Sequence, residues 1–106
     1  MKKRNKNNII IRAGQSSISF CFQKDGEIII SAVYRCGDLQ KLMSSIKKIA
    51  NEMKTKYDFD NVDIIFQGRT LIITSIIMQL QKILKIHQIY NGNIIKNNII
   101  RRVTKL

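Results

Sequence analysis

The chain has 106 residues, with nineteen Lys and Arg against seven Asp and Glu and a formal charge of +12. At 44% apolar residues, with no proline and five glycines, it is one domain with a packed core, which excludes a multidomain enzyme, a Pro-rich or collagen-like chain and a disordered basic tail. Its apolar runs fall far short of the roughly 20 residues of a membrane span, and two cysteines, Cys21 and Cys36, build neither a disulfide framework nor a four-ligand metal site.

The charge is unevenly spread. Residues 1–24 hold Lys2, Lys3, Arg4, Lys6, Arg12 and Lys24 without an acid, and residues 64–106 hold seven bases without an acid. All seven acids lie in residues 25–63, so the excess runs +6, −1, +7 along the chain. A polyanion such as nucleic acid is the natural partner for this layout. An anionic membrane surface is the main competitor, and an ordinary solvated basic surface is the bland reading. Met1–Lys6 is basic, but Ile9–Ile11 is too short for the apolar region of a secretory signal. The Ile- and Asn-rich bias points to AT-rich coding, as in an organelle.

In chain order, residues 1–8 form a basic arm and Ile9–Ala13 a short β-branched strand. Gly14–Ser17 is turn-like. Ile18, Phe20 and Phe22 alternate with polar residues, which is strand patterning. Asp25-Gly26 is a hairpin signal, and Glu27–Val33 returns as the third strand. Asp38 is placed to cap a helix running to Met53, whose buried face is Leu39, Leu42, Met43, Ile46, Ile49, Ala50 and Met53. A polar break over Tyr57–Asn61 precedes a fourth strand, Val62–Phe66. Gln67–Thr70 punctuates, and Thr70 could cap a second helix to about Ile83 that buries Ile72, Ile73, Ile76, Ile77, Leu80 and Ile83; its β-branched residues would also allow strand, and Gln79, Gln81, Lys82 and Lys85 favour helix. Lys85–Tyr90 is a fifth strand, and residues 91–106 are a basic tail whose Ile pairs dock on a partner. The order β-β-β-α-β-α-β gives an α/β fold with a five-stranded mixed sheet and two helices, in two layers or three.

Few residues carry chemistry. His87 sits in a strand with no acid or Cys at ligand spacing, so a structural or surface role is expected. Asp58, Asp60 and Asp63 cluster at a break but lack the glycine and closing Glu of a calcium loop. Cys36 lies near a helix start, where a thiol pKa can fall, though an incidental thiol is the simpler reading. Gly68-Arg69 lacks the Gly-Lys-Ser/Thr of a phosphate-binding loop. The chain reads as a non-enzyme, with no cofactor or metal.

Several stretches, taken in order, resemble one family. Ile11-Arg12-Ala13, the Gly14–Ser17 turn, the alternating Ile18–Phe22, Asp25-Gly26 and Ser31-Ala32 resemble the opening three strands of the universal small-subunit ribosomal protein S11 family. Residues 38–53 fall on its first helix, and Val62–Phe66 with Gly68-Arg69 on its strand and Gly-x-Gly-Arg loop. Ile86–Tyr90 matches the strand before its Asp-Val-Thr-Pro loop, and Asn93, Lys96 and Arg101-Arg102-Val103 its basic tail. The resemblance spans residues 9–103. It departs from the family in a shortened loop at Tyr34–Gly37, in lost loop glycines and in a tail without prolines.

The resemblance implies a domain over 9–90 between the arm (1–8) and the tail (91–106). It implies a non-catalytic constituent of the small ribosomal subunit that binds rRNA on the platform near the mRNA exit path, in a mitochondrion. Its partners would be small-subunit rRNA and neighbouring platform proteins, with no membrane span and no homo-oligomer. The rRNA-binding residues expected are Lys2, Lys3, Arg4, Lys6, Arg12, Arg35, Gly68, Arg69, Asn93, Lys96, Arg101, Arg102 and Lys105. Arginines serve best as bidentate phosphate clamps, and Tyr34 and Tyr90 are candidates for base stacking or for the core. The alternative is an RNA-binding scaffold module of a ribonucleoprotein outside the ribosome; a membrane-surface protein ranks third, since strand patterning argues against it.

Overall fold

The computed structural model describes residues 7–68 and 70–92. Three strands come first: β1 (Asn7–Ala13), β2 (Ser17–Lys24) and β3 (Glu27–Arg35). A single 3-10 turn at Cys36–Asp38 leads into α1 (Leu39–Tyr57), followed by β4 (Val62–Gly68), α2 (Thr70–Gln81) and β5 (Ile86–Asn91). The sheet order is β3-β2-β1-β4-β5, with β1 antiparallel to β2 and parallel to β4, β2 antiparallel to β3, and β4 parallel to β5. This is the five-stranded mixed sheet with two helices expected from the sequence.

The β2–β3 connection is a two-residue hairpin in which both Asp25 and Gly26 take positive φ, 54° and 85°. That backbone matches the twist of the flanking strands and is why Asp-Gly stands there. Both crossovers, β3 to β4 and β4 to β5, step the same way along the sheet. Obeying one handedness puts both helices on one face. Strand alternation supplies the core beneath them: Ile9, Ile11 and Ala13 from β1, Ile18, Phe20 and Phe22 from β2, and Val62 and Ile64 from β4. Leu42, Ile46, Ala50 and Met53 of α1 and Ile73, Ile76, Ile77 and Leu80 of α2 close on them. The described residues therefore form two layers, and no described helix covers the other sheet face.

Several boundaries differ from the sequence reading. Asn7 and Asn8, assigned to the basic arm, pair with Lys24 and Gln23 as the first residues of β1. The helix α1 runs to Tyr57, a turn past Met53, ending where Asp58 takes a left-handed φ of 53°. The Asp38 side chain makes no capping hydrogen bond. Its backbone (φ −104°, ψ 41°) closes the 3-10 turn and lacks the extended geometry that aims a cap side chain at the first turn. Leu39 is 37% exposed rather than part of the buried face, because it is the first residue of α1, at the rim. In α2, Leu84 beyond the helix end is buried, while Ile72 and Ile83 are only partly so. Asn91, assigned to the tail, belongs to β5.

The break after α1 is less polar than its composition. Phe59 is wholly buried there and packs on Phe22, ring centroids 5.5 Å apart.

Candidate nucleic-acid interface

The side chains on the helix-free face follow from register. Inward Ile9, Ile11 and Ala13 leave Asn8, Ile10 and Arg12 outward. Arg12 pairs with Ser19 of β2 on one side and Gln67 of β4 on the other, and its side chain is exposed. Arg35, the last residue of β3, lies opposite Ser17, also outward and exposed. Two strand spacings and two residues along the strand separate them, or about 12 Å between backbones. The two arginines thus share one face at one end of the sheet, flanked by the hydroxyls of Ser17 and Ser19. That end also carries the Gly14–Ser17 turn, in which the Gly14 N–H donates to the Ser17 carbonyl at 2.8 Å.

Gly68 closes β4 opposite Ala13 at the same end. Its φ is +111°, and a Cβ built there would lie 2.0 Å from the Ala13 carbonyl oxygen. The absence of a side chain is thus demanded by the β1–β4 junction itself, whatever approaches from outside. Lys2, Lys3, Arg4, Lys6, Arg69, Asn93, Lys96, Arg101, Arg102 and Lys105 lie outside the described residues. Of the thirteen residues expected to contact rRNA, the structure brings together Arg12, Arg35 and Gly68. Residues 7–92 hold eleven bases, Arg69 among them, and seven acids and so net +4, and the other eight of the +12 charges lie in residues 1–6 and 93–106.

The aromatic candidates divide. Tyr34 stacks on Phe20, centroids 5.9 Å apart and planes 11° from parallel, on the helix-bearing face. It is a core residue. Tyr90 pairs with Ile65 in register and is half-buried on the helix-free face.

Several other polar residues serve the fold. Asp60 Oδ1 accepts the Lys85 backbone N–H at 2.6 Å, and Lys54 lies 4.0 Å from Asp60 Oδ2 while donating to the Ile83 carbonyl at 3.0 Å. These bonds tie the α1–β4 loop to the α2–β5 loop. Chiefly through the Lys85 bond, the Asp60 carboxyl is held below its ordinary pKa of 3.8. Asp63, wholly buried, meets His87 Nδ1 at 2.8 Å. The β4–β5 register shift at Val62/Asp63 places His87 beside it, a pairing across 24 residues that no sequence spacing signals. No group of three or more His, Cys, Asp or Glu among the described residues is arranged to hold a metal. Both cysteines are free and half-buried. Burial pushes the Cys21 thiol pKa up, and the Arg12 charge pulls it partly back. The Cys36 thiol faces the Gly14 and Gln15 carbonyls at 3.9 and 3.7 Å. Among the described residues no helix is long and apolar enough to cross a membrane.

No protein-family model and no curated protein sequence matches the chain. Among solved structures it is similar to a Bacteroides thetaiotaomicron protein with an actin-like ATPase fold and unknown function. The TM-score is 0.54 at 10% identity, over 86% of this chain and 36% of that one. Two structures of the Ppx/GppA family from Aquifex aeolicus align with TM-scores of 0.41 and 0.42 at 11% and 12% identity. They cover 78% and 82% of this chain and 35% and 36% of theirs. The chain spans about a third of the length of these proteins. The first likeness is one of fold alone.

Proposed function

We propose that this chain is a non-catalytic, rRNA-binding constituent of the small ribosomal subunit. It would sit on the platform near the mRNA exit path and serve organellar translation in the mitochondrial matrix. The observation that carries the proposal is the placement of basic residues relative to the fold. Residues 7–92 net only +4, while the acid-free segments 1–6 and 93–106 hold eight positive charges. The ordered resemblance to the ribosomal protein S11 family supports the ribosomal form of the reading over a free-standing RNA scaffold. Arg12 and Arg35 would set register on the phosphate backbone from the end of the sheet, and Arg101 and Arg102 would anchor the tail.

The test is a salt titration of binding to small-subunit rRNA. Each lost phosphate contact lowers the salt slope by about one. Replacing Arg101 and Arg102 together by Ala lowers it by about two, and replacing Lys47 and Lys48, exposed on α1, changes it less. A larger loss for the α1 pair puts the RNA on the helix-bearing side and overturns the assignment. Co-sedimentation with small subunits at high salt separates a ribosomal constituent from a scaffold that associates only at low salt.

A further inference from the structure

The helix α2 is apolar on its outer side as well as its inner one. Its twelve residues include no charged side chain, in a chain where charged residues make up 25%. Ile73, Ile76, Ile77 and Leu80 face the core, yet Leu71 and Met78 on the outer side are 85% and 56% exposed. A helix apolar all round belongs in an interior, and an apolar patch with methionine and without charge is what the centre of an interface looks like. Beside this helix runs an open strand edge. Among the described residues β5 has one neighbour, β4. Along residues 86–90, about 16 Å, alternate backbone N–H and C=O groups therefore turn outward. No Lys, Arg, Asp or Glu within β5 blunts that edge, whereas β3 at the other edge begins on Glu27 and ends on Arg35. Ile89 of β5 is 42% exposed and shares with Phe66, Thr74 and Met78 a groove of about 320 Å³ between α2 and β5. A strand laid along β5 would pass beneath Met78 with every second side chain turned into that groove.

The charge at the rim has one sign. Lys82 and Lys85 stand exposed where the chain enters β5, and the described ion pairs, Lys54–Asp60 and His87–Asp63, leave Lys82 without an acid. The residues lining the groove carry no charge of their own. A second copy of this chain would bring a further +12 to a surface already positive, whereas an acidic partner is drawn to it. We propose that the β5 edge and this groove hold an extended segment of a different, acidic protein, added antiparallel to β5 as a sixth strand. Its alternate apolar side chains fill the groove between Met78 and Ile89. The acidic residues lie at its C-terminal end, which antiparallel pairing brings to Lys82 and Lys85. The attachment uses no RNA and stands or falls independently of the rRNA-binding reading.

The test titrates the full chain, without RNA, with capped synthetic peptides and follows its backbone NMR signals. The probe is Val-Thr-Val-Thr-Val-Thr-Glu-Glu. One control ends in Lys-Lys instead, and another keeps the composition but runs Val-Val-Val-Thr-Thr-Thr-Glu-Glu, which breaks the alternation. The proposal expects the probe to move the signals of Met78, Gln88 and Ile89 and to bind at least tenfold tighter than either control. Met78→Lys, at an exposed position that the fold tolerates, should weaken the probe at least tenfold, and Val33→Lys on the β3 edge should leave it unchanged. Absence of binding at millimolar probe, equal binding of either control, or shifts centred on β3 overturns the proposal. So does movement of the Met78 and Ile89 signals with protein concentration alone, which gives the edge to a second copy. Movement of the same signals on Ile95→Asp with Ile99→Asp, in the absence of peptide, gives the groove to the chain's own residues 93–106 and overturns it as well.

Discussion

Replacing Gly68 by Ala isolates the fold from the binding role expected of that loop. Two costs follow from its geometry. An L-residue at φ +111° stores about 1 to 3 kcal/mol of backbone strain. The added Cβ also lies 2.0 Å from the Ala13 carbonyl oxygen, where ordinary contact begins at 3.4 Å. Relief requires β1 and β4 to part by more than an ångström at the end of their ladder, next to buried Ala13. That loses a hydrogen bond worth about 0.5 to 1.5 kcal/mol and loosens packing. With the loosened packing, a total of about 2 to 5 kcal/mol is a large share of the roughly 5 to 15 kcal/mol that holds a domain together. At about 4 to 8 °C per kcal/mol, the midpoint should drop by about 8 °C or more. Gly26→Ala is the internal control. Its φ is +85°, but nothing lies within 4 Å of the added Cβ, so backbone strain acts alone and the loss is about 1 to 2 kcal/mol. Thermal and urea denaturation without RNA measures both. Equal losses for the two variants, or an unchanged midpoint for Gly68→Ala, would refute the reasoning and return Gly68 to a purely external role.

Leu42→Asp, which puts a charge at a wholly buried site on α1, should cost more than about 4 kcal/mol and leave no cooperative unfolding transition by circular dichroism, while Leu39→Asp at the rim should stay within about 0.5 kcal/mol of wild type. Asp60 has a folded pKa below 3.8, so its ionised form stabilises the fold at neutral pH and that contribution disappears as pH falls from about 4 through the folded value. Asp60→Asn should therefore be less stable at pH 7 and show a shallower fall in melting temperature between pH 5 and 3; parallel curves for the two proteins would contradict this. Cys21, its thiol pKa raised by burial, should alkylate with iodoacetamide at pH 8 more slowly than a cysteine peptide, and recover that rate in urea.

Legibility in the sequence tracked how local the cause was. The Asp25-Gly26 hairpin, the alternation of Ile18, Phe20 and Phe22, and the spacing of Leu42, Ile46 and Met53 each depend on near neighbours, and each is readable. What escaped depends on partners far along the chain. Phe59 hides in a polar stretch, and only the meeting of that loop with Phe22 buries it. Asp63 reads as one of three solvated acids until parallel pairing of β4 and β5 brings His87 to it. Gly68 is legible as a loop glycine, but its reason, the Ala13 carbonyl, lies 55 residues away. Arg12 and Arg35 are each legible as phosphate-binding candidates, yet their shared face depends on the β1–β2–β3 register that alternation alone does not set.

The separation of charge from fold has a bearing on the order of events during assembly. Like charges crowded into a compact state oppose its formation, and +12 on a body this small would tie folding to the arrival of a counter-charge. With residues 7–92 at +4, the sheet and its two helices can close in the absence of any polyanion. On the proposed function, attachment would be a second step, sensitive to salt where the first is not.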